Sequence, residues 1–234
     1  MIKTIYTFIL SMTLSVLVAS SAFAGALGPA TKYEITMTKV ELCESGSTDA
    51  NCLNPVTVSP TGTKVSDIAG VEAGASVGSF GSLSTLTAGT AYSYIQVTMS
   101  RLFTIAGTTS AGCATNSSGT AGGLNAYGVG QTAATGTAQT LSVPNTNGMS
   151  ATLPDTINGA ADANGDTVSA AGDIANADTH MEFRQKLIET FSINPGNVPS
   201  LTIAFGTDQA VESQGSCGGA VMNAAAPSVS ITIN

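Results

Sequence analysis

Residues 1–24 read as a secretory signal, and this constrains the rest of the chain, because a protein folded after export can be stapled by disulfides. Lys3 gives the positive start, Ile5 to Val18 is an apolar run, and Ala22-Phe23-Ala24 is a small-x-small cleavage site. The mature chain is therefore expected to begin at Gly25. The apolar run is too short for a transmembrane helix and its flanks are wrong for one, and no cysteine follows the cleavage site to carry a lipid. The expected location is secreted, extracellular or cell surface, reached by periplasmic transit, with no membrane insertion after cleavage.

Four cysteines follow: Cys43, Cys52, Cys113 and Cys217. An even number in an oxidising compartment points to two disulfides, with three pairings open. The polar loop 44–51 brings Cys43 and Cys52 together easily, so the reading takes Cys43–Cys52 and, by elimination, Cys113–Cys217. A zinc site would need closer Cys/His spacing.

Charge narrows the partners. The formal net charge is −8 and only 9% of residues are charged, against about 25% in an ordinary soluble chain. Seven Lys and Arg, unclustered, do not make a nucleic-acid footprint. The surface must instead be Thr, Ser, Asn, Gly and Ala, which suits a protein facing water, salt and other chains.

Strand signals dominate. Tyr33-Glu-Ile35-Thr-Met37 alternates with period two, then slips so that Val40 and Leu42 continue the apolar face, which predicts a β-bulge near Thr38-Lys39. Strands are expected over 53–58, 64–69 and 91–105, the last with Ile95, Val97, Met99, Phe103 and Ile105 on one face. Arg101 falls on that apolar face; either its guanidinium reaches a carboxylate at the sheet's rim or, the reading taken, the strand leaves the core there. Residues 106–180 are rich in Gly, Ala, Thr and Asp, with strand signals only at 140–143 and 150–153. That stretch is expected to be a loop-rich insertion. Residues 181–193 fit a helix by spacing (Phe183, Leu187, Ile188, Phe191) and a strand by period two. The Asn194-Pro-Gly196 turn tips the reading to a strand that hairpins with 201–205. Val229-Ser-Ile231-Thr-Ile233 is a last strand.

Many short strands separated by turn residues predict an all-β, antiparallel β-sandwich in a single domain over residues 25–234. An outer-membrane barrel would show regular strands and aromatic girdles, and this chain has no Trp and long Gly/Ser gaps. The segments Tyr33-Glu-Ile-Thr-Met-Thr-Lys-Val-Glu-Leu42, Thr87-Ala-Gly-Thr-Ala-Tyr-Ser-Tyr-Ile-Gln-Val97, Phe191-Ser-Ile-Asn-Pro-Gly196 and Leu201-Thr-Ile-Ala-Phe-Gly-Thr-Asp208 carry a resemblance. In strand pattern the chain resembles the sandwich domains of unknown function found in secreted bacterial proteins. The resemblance covers about half of the mature chain and implies an immunoglobulin-like or transthyretin-like sandwich, but no activity.

Chemistry is sparse. The one histidine, His180, lies beside Asp178 and Glu182, with no phosphate loop of the Gly-x-x-x-x-Gly-Lys type anywhere. Asp162-Ala-Asn164-Gly-Asp166 spaces oxygen ligands around a glycine as calcium loops do. The acid of an EF-type loop is missing at position 160 and the Glu at 171, and the competing reading is a solvated acidic loop. Calcium is thus the one cofactor to consider. The chain is expected to be non-enzymatic and to act by contact, as a subunit of an extracellular filament, matrix or coat. Edge strands carrying Tyr33, Ile35 and Met37, or Val229, Ile231 and Ile233, would pair between copies or with other surface proteins. The alternatives are a glycan- or ligand-binding module with a calcium site, and a hydrolase centred on His180.

Overall fold

The computed structural model describes residues 25–48, 51–59, 62–70, 83–118, 128–143, 179–193 and 201–233. The signal segment, the Asp162/Asn164/Asp166 loop, the expected strand 150–153 and the Asn194–Gly196 turn lie outside the described residues. Fourteen strands are described. In chain order they are β1 (Ala26–Gly28), β2 (Ala30–Glu44), β3 (Val56–Thr57), β4 (Lys64–Asp67), β5 (Ala91–Ser100), β6 (Leu102–Gly107) and β7 (Cys113–Thr115). They continue with β8 (Gly128–Thr132), β9 (Gln139–Ser142), β10 (His180–Ser192), β11 (Leu201–Gly206), β12 (Val211–Gln214), β13 (Val221–Ala224) and β14 (Ser228–Ile233). One 3₁₀ turn, Leu83–Thr85, is the sole helical element among the described residues.

The fold is all-β and antiparallel, with two main sheets in a sandwich-like arrangement. One sheet has the order β1-β12-β13-β8-β7; the other is built on β10-β5-β2-β6-β9, with β3 and β4 also on β2; a separate two-stranded ribbon pairs β11 with β14. The 15-residue β2 organises the larger sheet. One of its edges carries β4 and β3, and the other carries β6 and then β5. The expectation that Tyr33, Ile35 and Met37 lie on an edge strand is thereby corrected. An alternation that buries one whole face is as natural to a central strand as to an edge, and the partners that decide between them are distant in sequence. The expected bulge is present: the ladder to β5 shifts register between Met37 and Lys39.

The chain changes sheets at tight corners. It passes from β1 to β2 through Pro29, which has no N–H to offer a ladder. Gly107, at the end of β6, lies against that corner: a Cβ there would stand 2.4 Å from the Pro29 carbonyl oxygen and 2.8 Å from Val211 Cγ2. Only glycine allows the two backbones to approach this closely. The corners bring Val211, Ala220, Met222 and Cys113 of one sheet into a single core with Tyr33, Leu42 and Ile105 of the other.

Both disulfides form as expected, Cys43–Cys52 and Cys113–Cys217, with Cα–Cα separations of 5.2 and 5.1 Å. The first closes the turn after β2. The second ties β7 to the turn between β12 and β13.

Arg101 corrects a second expectation. The strand does not leave the core there. Arg101 is 0% exposed, and β5 and β6 are one strand broken at that residue. Its backbone N–H donates to Thr179 O (2.9 Å), and its carbonyl accepts from the Val143 N–H (2.7 Å). The β6–β9 register puts Ser142 opposite Leu102, and the β5–β10 register puts His180 opposite Ser100. Val143 and Thr179 therefore share the place of one ladder residue, Val143 supplying the N–H and Thr179 the carbonyl. The row β9–β10 is one strand interrupted by residues 144–178. Deletion of 144–179, which joins Val143 to His180, is expected to give a chain that still unfolds in one cooperative transition with both disulfides formed. Calorimetry and a free-thiol assay check this; loss of the transition contradicts it.

β10 settles the ambiguity of 181–193 as a strand. Its ladder to β5 shifts register between Lys186 and Phe191, and the residues between include Ile188, 79% exposed. That irregularity is why helical spacing shows in the sequence. The expected hairpin with 201–205 does not form: β10 pairs with β5 and β11 with β14.

Candidate functional site

The two faces of the larger sheet differ in chemistry. On one face Tyr33, Ile35, Met99, Phe103 and Met181 are buried and look toward the β11–β14 ribbon, which contributes Phe205 and Val229. The ribbon does not close on the sheet. A cavity of about 600 Å³ lies between them, floored by these side chains with Ile68 and Val143. A smaller void of about 50 Å³ adjoins it among Met37, Val40, Ile95, Val97 and Ile203. The mouth is made by the two links that flank the ribbon, through Asp208, Gln209 and Ala226, and by Ser228 at the start of β14, all four exposed.

Tyr33 anchors this arrangement. Its hydroxyl donates to the Ala225 carbonyl at 3.0 Å, tying the link before β14 to the centre of the sheet. Its ring meets Phe103 edge-on at 5.7 Å, a favoured aromatic geometry. Burial holds the Tyr33 phenol well above its ordinary value, so it stays a donor.

The other face carries a polar stripe across β2, β5 and β10. Gln96 Nε2 donates to Glu41 Oε2 (2.7 Å) and to Glu182 Oε1 (3.3 Å), and Gln96 Oε1 accepts from Arg184 Nε. Arg184 Nη2 pairs with Glu182 Oε2 at 2.8 Å, and Lys39 Nζ with Glu41 Oε2 at 3.2 Å. Glu41, Gln96, Glu182 and Arg184 are all buried. Two cations offset two anions, and Gln96 bridges them. Shared hydrogen bonds and opposed charges are what make such burial tolerable.

Burial pushes the Glu182 carboxyl up, opposed by Arg184 and Lys39, and pulls the Arg184 guanidinium down, opposed by Glu182 and Glu41. A carboxyl raised in the folded state holds a proton that the unfolded chain has released. Its contribution to stability is full below the unfolded value and is lost as pH rises through the folded one. The melting temperature is therefore expected to fall with rising pH between the unfolded and the raised folded value of this carboxyl, and Glu182→Gln to flatten this slope. A pH series of thermal unfolding checks it; identical slopes contradict it.

The expected site residues fall in several places. Tyr33 and Ile35 line the cavity, Met37 the smaller void, and Val229 both. Ile231 and Ile233 occupy β14 positions opposite Ile203 and Leu201. β14 is ladder-bonded to β11 alone among the described strands. His180 is buried, with its Nδ1 2.7 Å from Thr179 Oγ1. Among the described residues no group of three or more His, Cys, Asp or Glu is placed to hold a metal ion, and no helix is long and apolar enough to cross a membrane. Sequence reasoning missed the cavity floor at Ile68, Met181 and Phe183. It also missed the polar stripe, which had a signal: the i, i+2 pairs Lys39/Glu41 and Glu182/Arg184 put opposite charges on one strand face.

No family model, no curated protein and no solved structure significantly matches the chain. The geometry alone carries the functional argument.

Proposed function

We propose that this protein is an exported, disulfide-stapled β-sandwich of the immunoglobulin-like or transthyretin-like kind, and that it works by binding rather than by catalysis. Its site is the cleft under the β11–β14 ribbon. The observation that carries the reading is the cavity: about 600 Å³, an apolar floor and a polar mouth, the size and character of small-molecule sites. A half-open cleft of this size leaves apolar side chains facing water, which costs free energy. A ligand that fills it removes that cost. An apolar ligand suits the floor better than a glycan, whose hydroxyls would find few partners there.

The test is uptake of a neutral solvatochromic dye, Nile red, by the oxidised mature protein. Saturable one-to-one binding is expected. Ala226→Trp, which adds bulk at the exposed mouth, should weaken it at least tenfold without lowering the melting temperature. Absence of saturable uptake, or uptake unchanged in Ala226→Trp, contradicts the reading. Assembly through β14 is a second reading, supported by its single ladder partner among the described strands. A strictly monomeric protein in sedimentation at high concentration contradicts that one.

A further inference from the structure

The cleft is uneven in charge. Among the described residues that line it, Asp208 is the one charged side chain, and no Lys, Arg or His joins it. Asp208 stands at the mouth, exposed, with Gln209 and Ser228 nearby on the rim. The floor behind them is apolar except for Gln185, whose Nε2 donates to the Val229 carbonyl at 3.4 Å, and it continues into the smaller void. A ligand that fits both parts has a long apolar body that reaches inward and a polar end left at the rim.

We infer that the ligand is a neutral or cationic single-chain amphiphile, with its chain along the floor and its head group beside Asp208, and that anionic amphiphiles such as fatty acids are excluded. This deepens the binding reading above and rests on it. A carboxylate head would reach a rim whose described residues offer it a like charge and no cation, while losing part of its hydration. The net charge of −8 over the chain adds a repulsive field at longer range. A hydroxyl head finds a donor and an acceptor in the Gln209 amide and the Ser228 hydroxyl. An ammonium head finds Asp208 itself, and a charge-assisted hydrogen bond is stronger than a neutral one. The narrow inner void, walled by Met37, Val97 and Ile203, admits a chain end and not a ring system.

The experiment is displacement of bound Nile red at neutral pH by dodecanol, dodecylamine and dodecanoate, each below its aggregation concentration, with melting temperatures measured alongside. Dodecanol and dodecylamine are expected to displace the dye at concentrations at least tenfold lower than dodecanoate. Asp208→Asn is expected to narrow the gap between dodecylamine and dodecanoate at least threefold and to leave dodecanol unchanged. If the dye binds and dodecanoate competes as well as dodecanol, the head-group inference is overturned and the binding reading stands. If the gap survives in Asp208→Asn, Asp208 is not its source and the inference fails. If the dye does not bind, the binding reading itself is overturned, and the head-group inference falls with it.

Discussion

The double variant Cys113→Ala/Cys217→Ala is expected to lose about 4–5 kcal/mol of stability, by the entropy of closing a loop of that length in the unfolded chain. The two cysteines are 104 residues apart. For a domain of this size the loss corresponds to a fall of roughly 10–20 °C in melting temperature. The cross-link also ties down a short strand. β7 has three residues and stands at one end of its sheet, so hydrogen bonds alone hold it poorly. Cys113 is fully buried, and its replacement by Ala also removes packing. The matching variant Cys43→Ala/Cys52→Ala opens a loop with a separation of only 9 and should cost less, about 3 kcal/mol. Calorimetry of the oxidised proteins checks the order. Equal losses, or a larger loss from the short loop, would contradict it.

Arg184→Met is expected to destabilise by about 3–5 kcal/mol, the usual cost of leaving a buried charge without its partner. In that variant Glu182 and Glu41 would share one cation, Lys39, around Gln96. The double variant Glu182→Gln/Arg184→Met restores the balance, with Lys39 facing Glu41, and should recover most of the loss. Chemical denaturation of the two single variants and the double variant measures the coupling directly. Simple additivity of the two losses would show that the stripe does not act as a unit.

Much of this architecture was legible before the structure. Alternation located β2, β4, β9 and β14 within a few residues, and the slip of phase after Met37 located a bulge that the ladder confirms. Both disulfides followed from one loop length. What stayed hidden was pairing at a distance. Alternation says that a strand has a buried face but not which strands flank it, so β2 read as an edge when it is central. β7 and β8 are too short and too rich in Gly, Thr and Ala to show a period. Arg101 was misread for a related reason. A buried arginine is unusual enough to suggest that the strand has left the core. Here its backbone instead bonds both ends of an interrupted neighbour, Val143 and Thr179. The cleft depends on two elements that meet only in the fold, the face of β2, β5 and β10 and the ribbon of β11 and β14. Neither predicts the other from sequence.

The central claim, that this sandwich holds an apolar chain between its main sheet and the β11–β14 ribbon, is tested most directly by methyl NMR of the oxidised mature protein titrated with dodecanol. Saturable shifts are expected at Ile35, Ile68, Met99, Val143 and Met181, with Leu83 and Ala114 unmoved. Shifts that never saturate, or that spare the five floor residues, would contradict it.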